Sequence, residues 1–321
     1  MLIFQIKLLF LSFEELLNYF CLMSLSQKEI LFPALVCSMI VWGVAWPSAK
    51  YLTQFGGVID IAFTRFLFTA IGIFILLKLT KVLFTIDKKG LPLLFLGATL
   101  MAGYSLLFFG GIQKGMPGAG GVLVTTLTPI VSYIIALIVS KRKPTTYETM
   151  GLLLGLIAAT FLLHIWNNAS NILKSGNLFF LCSCIVWALL SRITAIAQRY
   201  GSALAYTWWM YVICAGILLL FANPQKIMVM LQQGNWKFYG NLIFNAVINT
   251  GIATTIFFFA TTQLGSARTS SFIYIVPFAA AISSWIIFGE IISWYTIVGG
   301  VLGILAVWWL NKKKVVAKVI A

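Results

Sequence analysis

The sequence predicts an all-α integral membrane protein in which ten transmembrane helices form two inverted five-helix repeats around a central cavity. Three observations predict this class: an apolar composition, apolar stretches of membrane-spanning length, and an internal repeat. Of the 321 residues, 61% are hydrophobic and only 9% are charged, and the mean hydropathy is +1.01. A soluble domain of this length would need much more charge on its exterior.

The chain contains ten stretches that are long and apolar enough to cross a bilayer, for which a helix needs about 20 residues. Glycine, proline and charged residues separate them. The first five are 31–53, 58–78, 91–112, 118–140 and 147–166. The second five are 177–198, 203–222, 238–261, 266–288 and 292–310. We therefore predict two five-helix domains, at 30–168 and 175–311, and a basic tail at 312–321.

The two halves of the chain repeat the same landmarks. The run Cys37–Trp42 returns as Cys182–Trp187, 145 residues later, and Pro129 returns as Pro277, 148 residues later. Because five spans is an odd number, the second half must enter the membrane from the opposite side. Inverted repeats of this kind enclose a site near the membrane midplane and are typical of secondary transporters.

The net charge of +15 is spread over the predicted loops and the tail. Basic residues collect at 78–89, 141–143 and 312–318, which lie on one side of the membrane if residues 23–30 are cytoplasmic. The positive-inside rule then predicts that both termini are cytoplasmic, and we expect the chain in a bacterial cytoplasmic (inner) membrane. Since the basic residues share no soluble surface, nucleic acid is not an expected partner.

The first 29 residues precede the predicted fold. Lys7, Glu14 and Glu15 interrupt residues 1–22, which makes this segment amphipathic and not membrane-spanning. We expect Met23 to be the true start and the residues before it to be an upstream extension. A helix that lies in the membrane interface is the alternative.

Prolines, glycines and one acidic residue mark the predicted spans over most of the chain. The motifs are Trp42-Gly43 with Pro47 and Lys50, Pro129 and Pro277, Phe288-Gly289-Glu290, and Gly299-Gly300 with Gly303. Together, over about residues 30–310, they resemble the EamA-type members of the drug/metabolite transporter superfamily. The resemblance implies ten helices in two inverted repeats, cytoplasmic termini, a central cavity, and transport of amino acids, other small metabolites or drugs, often outward. One departure is Arg142, which stands where Glu290 stands in the second half.

Polar and aromatic side chains within the spans are the candidates for substrate contact, because polar groups are costly in hydrocarbon. The candidates are Trp42, Trp46, Tyr104, Trp187, Asn245, Asn249, Ser271 and Tyr274. Together with Asn241, the two asparagines have i, i+4, i+8 spacing, which predicts one polar helix face. Tryptophan offers a flat apolar wall for a partly apolar solute. Hydrogen bonds between helices and simple packing are the alternative roles.

Charged residues near the spans are few, and two interpretations stay open for each. Glu290, at the outer end of the ninth span, is the candidate for proton coupling, and capping of the tenth span is the alternative. Asp60 and Arg65, at the start of the second span, are interpreted as a structural pair. Lys50 is expected to extend outward to the interface, with a substrate contact as the alternative.

Taken together, these features predict a secondary transporter of a small polar or amphipathic metabolite, such as an amino acid, with export preferred. A facilitated-diffusion permease or an uptake carrier is the alternative, and a membrane enzyme is less favoured because the acidic residues are scattered. We predict no catalytic residue, metal or cofactor, and the chain has no ATP-binding loop. The expected partners are a small-molecule substrate, the lipid bilayer and a proton; the oligomeric state is left open.

Overall fold

The chain is built almost entirely of helices in the computed structural model, which describes residues 27–81, 83–141, 143–163, 166, 176–264, 269 and 272–311. Within these ranges the only bridge between extended segments joins Ile86 to Gly201. The N-terminal extension and Ser271 lie outside the described residues. The all-α class predicted from the sequence therefore holds for the described part of the chain.

The helices of the first half begin and end close to the predicted spans. They are α1 (Gln27–Leu52), α2 (Val58–Thr80), α3 (Leu91–Lys114), α4 (Pro117–Ser140) and α5 (Thr146–Leu163). Proline occupies the first turn of α3 and of α4, where a helix has no use for the missing N–H. Both α2 and α4 end where a lysine adopts a left-handed backbone, Lys81 with φ 52° and Lys141 with φ 50°.

The second half contains one helix that the sequence analysis did not predict. Its helices are α6 (Asn177–Ala197), α7 (Ala203–Leu219), α8 (Pro224–Gln233), α9 (Trp236–Ile243), α10 (Thr254–Leu264), α11 (Ile275–Phe288) and α12 (Trp294–Asn311). The short α8 is the additional one, and it is bent by 110° from α7. Ser202, Asn223 and Asn235 begin α7, α8 and α9 by accepting hydrogen bonds from backbone N–H groups of the first turn.

The eighth predicted span is not a regular α-helix. Between α9 and α10, residues Phe244–Ala253 form a π-helix, in which the N–H of Thr254 donates to the carbonyl of Asn249, five residues earlier. A π-helix of this length is rare, and π turns within helices are frequent at functional sites. We call residues Phe244–Ala253 the π segment.

Contacts between the two halves come in matching pairs. The repeat makes α1 the counterpart of α6, α3 that of the π segment, and α4 that of α11. Accordingly, α3 packs on α6 and α1 packs on the π segment. In the same way, α1 packs on α11 and α6 packs on α4. In addition, α2 packs on α7, α4 on α11 and α5 on α12, so each of these helices contacts its own counterpart in the other half. The left-handed Lys141 likewise has its counterpart 148 residues later in Gly289, with φ 64°. The packing between the halves is therefore reciprocal, with each of these contacts matched by a contact between the counterpart helices.

The helices of the described chain identify a multi-pass membrane protein. Six stretches are long and apolar enough to span a membrane: Leu31–Leu52, Val58–Leu79, Lys88–Lys114, Pro117–Val139, Asn177–Ala197 and Trp236–Leu264. The bent pair of α7 and α8 makes a seventh if it counts as one span. Helices α5, α11 and α12 are apolar but shorter. The number of ten membrane crossings stays a prediction.

Small residues let three helices approach closely around the centre of the bundle. A Cβ added at Gly43 of α1 would collide with the Cβ of Ala279 in α11, and would lie 2.8 Å from the backbone N of Ala280. A Cβ added at Gly121 of α4 would lie 2.7 Å from the Cβ of Ala280 and 3.2 Å from the Trp46 ring. Glycine at these two positions therefore brings α1 and α4 against α11 and places Trp46 between them.

Candidate functional site

A cavity of about 60 Å³ lies between the two halves of the bundle. This volume exceeds the roughly 10–15 Å³ at which a cavity can hold one water molecule. Five of the eight predicted contact residues line it: Trp42, Trp46, Tyr104, Trp187 and Asn249. These residues come from α1, α3, α6 and the π segment, so both halves contribute to the wall.

Aromatic rings form one side of this cavity. Trp42 and Trp187 meet edge to face, with ring centroids 5.3 Å apart. Tyr104 lies 4.6 Å from Trp187, and Phe257 lies 4.8 Å from Trp42, again between ring centroids. This arrangement gives the cavity an apolar face that suits the hydrocarbon part of a small solute.

A second aromatic group surrounds Trp46 on the wall of the cavity. The Trp46 ring, only 3% exposed, lies 4.7 Å from the Phe108 ring and 5.7 Å from the Phe180 ring, measured between centroids. Phe108 lines the cavity beside Trp46, and neither Phe108 nor Phe180 was among the predicted residues. A phenylalanine in a membrane span carries no local signal that separates a cavity wall from ordinary packing.

The three asparagines of the eighth predicted span follow one another from an outer groove to the cavity. Asn241 lines this groove together with Ser48 of α1. Asn245 is fully buried, and its Nδ2 donates to the Ser48 Oγ at 2.6 Å. Asn249 lines the central cavity, and its Oδ1 has no hydrogen-bond partner among the described residues. Of the two predicted asparagines, the structure therefore places Asn249 on the cavity and Asn245 in a contact between helices.

The remaining predicted residues lie beside the cavity or outside the described chain. Tyr274 is not among the residues that line the cavity, whereas its neighbours Ile273 and Val276 are. The Tyr274 hydroxyl is buried and has no hydrogen-bond partner within the described ranges. Ser271 is not described.

Arg65 was not among the residues predicted to contact the substrate, but the structure places it at the cavity. It lines the cavity and is only 5% exposed. The predicted pair with Asp60 is wrong: the Asp60 Oδ1 accepts from the backbone N–H of Asn223 at 3.0 Å, at the start of α8. Five residues on an α-helix are separated by about 140° around the axis, so Asp60 and Arg65 leave α2 in different directions.

The Arg65 guanidinium is held by side chains of two other helical segments. Its Nη1 donates to the Thr250 Oγ1 and its Nη2 to the Ser105 Oγ, both at 2.8 Å. The carbon at the centre of the guanidinium lies 4.5 Å from the centroid of the Phe66 ring and 5.2 Å from that of the Phe109 ring. The guanidinium is thus fixed in orientation by neutral groups alone.

Lys50 and Glu290 hold the two ends of the turn between α3 and α4. The Lys50 Nζ donates to the carbonyl of Ile112 at 2.8 Å and to that of Gly115 at 3.1 Å, at the C-terminus of α3. The Glu290 carboxylate accepts from the N–H of Gly118 at 3.0 Å and that of Ala119 at 3.3 Å, at the N-terminus of α4. Each charge matches the adjacent helix dipole.

Two expectations about these charges change as a result. Lys50 was expected to extend outward to the interface, but it turns to the unpaired carbonyls of α3 because these are strong acceptors at a helix end. Glu290 was expected to cap the tenth span if it was not a coupling residue. It instead caps α4, in the other half of the chain.

Comparison with known proteins identifies relatives over nearly the whole chain. The sequence model of the EamA-like transporter family matches residues 30–164 and 174–312. The chain is 25% identical over 274 residues to the uncharacterized transporter YoaV of Bacillus subtilis (strain 168), covering 82% of this chain and 90% of that protein. A second B. subtilis protein, the uncharacterized transporter YyaM, is 26% identical over 278 residues, with 84% and 89% covered.

A more distant relative carries a more specific name. The probable terminal-alkyne amino-acid exporter of Streptantibioticus cattleyicolor is 21% identical over 284 residues, covering 87% of this chain and 93% of that protein. One solved crystal structure shares the fold with a TM-score of 0.61 at 14% identity, covering 89% of this chain and 98% of the other. Because the family match extends over both halves, the chain belongs to the EamA-like transporter family of membrane proteins.

Proposed function

We propose that this protein is a secondary transporter that exports a small polar or amphipathic metabolite, such as an amino acid, by alternating access between two inverted repeats. The observation that carries the proposal is the cavity between the halves, with Trp42 and Trp187 at matching positions on its wall. A binding site shared by two repeats can be exposed to either side when one repeat rocks against the other.

The helices support ten membrane crossings arranged as five and five. The six long apolar stretches, α7, and the shorter α5, α11 and α12 coincide with the ten predicted spans. Five crossings in each half invert the second half, and the reciprocal contacts between the halves support a two-fold axis in the membrane plane. Both termini then lie in the cytoplasm, and the predicted domains are 30–168 and 175–311.

The walls of the cavity and one relative support an amino acid as the substrate. Trp42 and Trp187 suit an apolar side chain, and the Asn249 carboxamide suits a polar head group. The S. cattleyicolor relative is named as a probable terminal-alkyne amino-acid exporter, which supports both an amino acid as the substrate class and the outward direction.

Three contacts support a closed outer side in this conformation. In the proposed topology the turn between α3 and α4 faces outward, where Lys50 and Glu290 hold it at both ends. The hydrogen bond from Asn245 to Ser48 separates the outer groove from the cavity. Opening to the outside would require breaking this bond and moving α1 away from the π segment.

A facilitated-diffusion permease is the second candidate, and one observation favours it. Among the described residues that line the cavity there is no carboxylate, and Glu290 already accepts two backbone hydrogen bonds at the end of α4. A proton-coupled mechanism would use Glu290 by breaking those bonds on protonation, whereas a facilitator needs no titrating group.

Transport by proteoliposomes distinguishes the candidates. The full chain is reconstituted and loaded with a labelled pool of amino acids and common metabolites, with and without an imposed pH gradient. Saturable flux that follows the gradient supports a proton-coupled exporter, and saturable flux that ignores the gradient supports the permease. A steady ionic current, or no flux of any compound, would contradict both.

A variant of the cavity provides the second test. Asn249→Ala is expected to reduce flux strongly while the protein stays in the membrane at the wild-type level. Thr99→Ala is the matched control, because Thr99 is exposed on α3 and bonds only to the carbonyl of Phe95 in its own helix. Normal transport by Asn249→Ala would remove Asn249 from the site.

A further inference from the structure

Arg65 has more hydrogen-bonding capacity than the protein uses. Its two hydrogen bonds go to the hydroxyls of Thr250 and Ser105, and its Nε–H, although buried, has no partner among the described residues. A guanidinium carries further N–H donors on both terminal nitrogens. Because an unpaired buried donor is costly, this one indicates a ligand that accepts hydrogen bonds.

Among the acidic residues whose side chains the structure describes, none compensates the charge of Arg65. The described acidic residues that accept hydrogen bonds elsewhere are Asp60, Asp87, Glu148 and Glu290. A buried cation without a counter-ion is unfavourable, and within a membrane bundle an unpaired ionisable residue marks a substrate or ion pathway. The positive charge on the wall of the cavity therefore selects for an anionic group.

The wall of the same cavity also presents an unpaired acceptor. The Asn249 Oδ1 has no partner within the described ranges, and Asn249 precedes Thr250, which is hydrogen-bonded to Arg65. A cavity wall that carries an unpaired cationic donor and an unpaired neutral acceptor on neighbouring groups complements a carboxylate with an amino or hydroxyl group beside it.

We propose that Arg65 binds the carboxylate of the substrate, and that Asn249 accepts a hydrogen bond from the substituent on the neighbouring carbon. This inference rests on the proposed transport function and narrows its substrate to small 2-amino or 2-hydroxy carboxylates. The apolar side chain of the substrate packs against Trp42 and Trp187. The planar guanidinium gives the carboxylate two parallel hydrogen bonds, which a lysine does not.

The proposal has a kinetic consequence. With a carboxylate bound, the charge of Arg65 is compensated while the halves rearrange, but the unloaded carrier must rearrange with an unpaired buried cation. Exchange of substrate for substrate is therefore expected to be faster than net efflux. This difference is measured as the acceleration of efflux when unlabelled substrate is added on the opposite side.

The test compares acids with their amides in proteoliposomes that contain the full chain. The probes are labelled L-alanine, L-leucine and L-methionine, each beside its carboxamide, which keeps the side chain and the amino group but has no anionic group. We expect at least one acid to show saturable exchange. The half-saturation concentration of its amide is expected to be about tenfold higher or more, because the amide loses a hydrogen bond to a charged group.

Variants of Arg65 test the same point within the protein. Arg65→Gln is expected to abolish the preference for acid over amide, and Arg65→Lys to retain part of it. Lys226→Gln is the matched control, since it removes an exposed cation of α8 far from the cavity wall. The melting temperature of Arg65→Gln is expected to equal or exceed that of the wild type, because a buried unpaired charge is removed.

The outcomes separate this inference from the proposed function. The inference fails, and the proposed transport function stands, in any of three cases. Amides are transported at the same half-saturation concentration as acids, the pool yields only substrates without a carboxylate, or Arg65→Gln keeps the preference for acids. If the wild type moves no compound at all, both fail. If Arg65→Gln does not reach the membrane, the comparison of acid and amide on the wild type decides alone.

Discussion

Trp42 and Trp187, which occupy matching positions of the two repeats, meet edge to face at the centre of the bundle with ring centroids 5.3 Å apart. In the two-fold arrangement that we propose, this pair lies near the axis, because residues related by a two-fold axis come into contact only near it. The same two rings line the cavity. The proposed site and the proposed axis therefore coincide, as the proposed alternating access between two repeats requires.

The first prediction concerns this tryptophan pair. Trp42→Ala and Trp187→Ala are expected to raise the half-saturation concentration about tenfold, because each removes apolar wall and an aromatic contact of about 0.5–1.5 kcal/mol. Trp42→Phe keeps an aromatic ring, so we expect a smaller increase in its half-saturation concentration. Trp285→Ala is the control, since Trp285 is 60% exposed on α11. Equal kinetics for all four variants would show that the rings only pack.

The second prediction concerns the close approach of α1 and α11. Gly43→Ala is expected to destabilise the protein by about 1–3 kcal/mol, because its Cβ would collide with Ala279. Gly103→Ala in α3 is the matched control: nothing lies within 4 Å of its added Cβ, so better helix propensity makes it neutral or slightly stabilising. Thermal unfolding in detergent measures both. A reversed order of stability would contradict the packing described for α1.

The third prediction separates the two asparagines. Asn245→Ala and Ser48→Ala each remove the hydrogen bond between α1 and the π segment. We expect each variant to change the maximal rate of transport, with little change in the half-saturation concentration of the substrate. Asn249→Ala is expected to change half-saturation as well, since Asn249 lines the cavity. The measurement is exchange over a range of substrate concentrations. If the double variant Asn245→Ala/Ser48→Ala lost as much rate as the two single variants combined, the two side chains would not be coupled.

The fourth prediction concerns Glu290. Glu290→Gln keeps an oxygen that accepts one hydrogen bond from the start of α4, and Glu290→Lys places a positive charge at the positive end of the helix dipole. We expect Glu290→Gln to lose about 0.5–1 kcal/mol of stability and Glu290→Lys more, by thermal unfolding.

The same variants test whether Glu290 couples transport to the movement of protons. If Glu290 only caps α4, flux through Glu290→Gln responds to a pH gradient as flux through the wild type does. A wild-type response that disappears in Glu290→Gln would instead assign proton coupling to this carboxylate.

Local features were sufficient to predict the helices and the internal repeat. Apolar windows bounded by proline, glycine and charged residues predicted the ends of α1 to α7, α11 and α12 to within a few residues, except for the beginning of α11. The repeat predicted that Trp42 and Trp187 are equivalent, and the residues around them line the cavity. Such features depend on neighbours along the chain, so they can be seen without the tertiary structure.

Only the tertiary structure showed what the charged side chains contact. Arg65 bonds to Thr250 and Ser105, which are 185 and 40 residues away, while Lys50 and Glu290 bond to the backbone ends of α3 and α4. No spacing along the sequence relates such partners, because a buried charge takes whichever donors and acceptors the packed helices bring to it. The sequence alone therefore specified the helices and the internal repeat, and the packing of the helices decided which polar groups were left unpaired at the cavity.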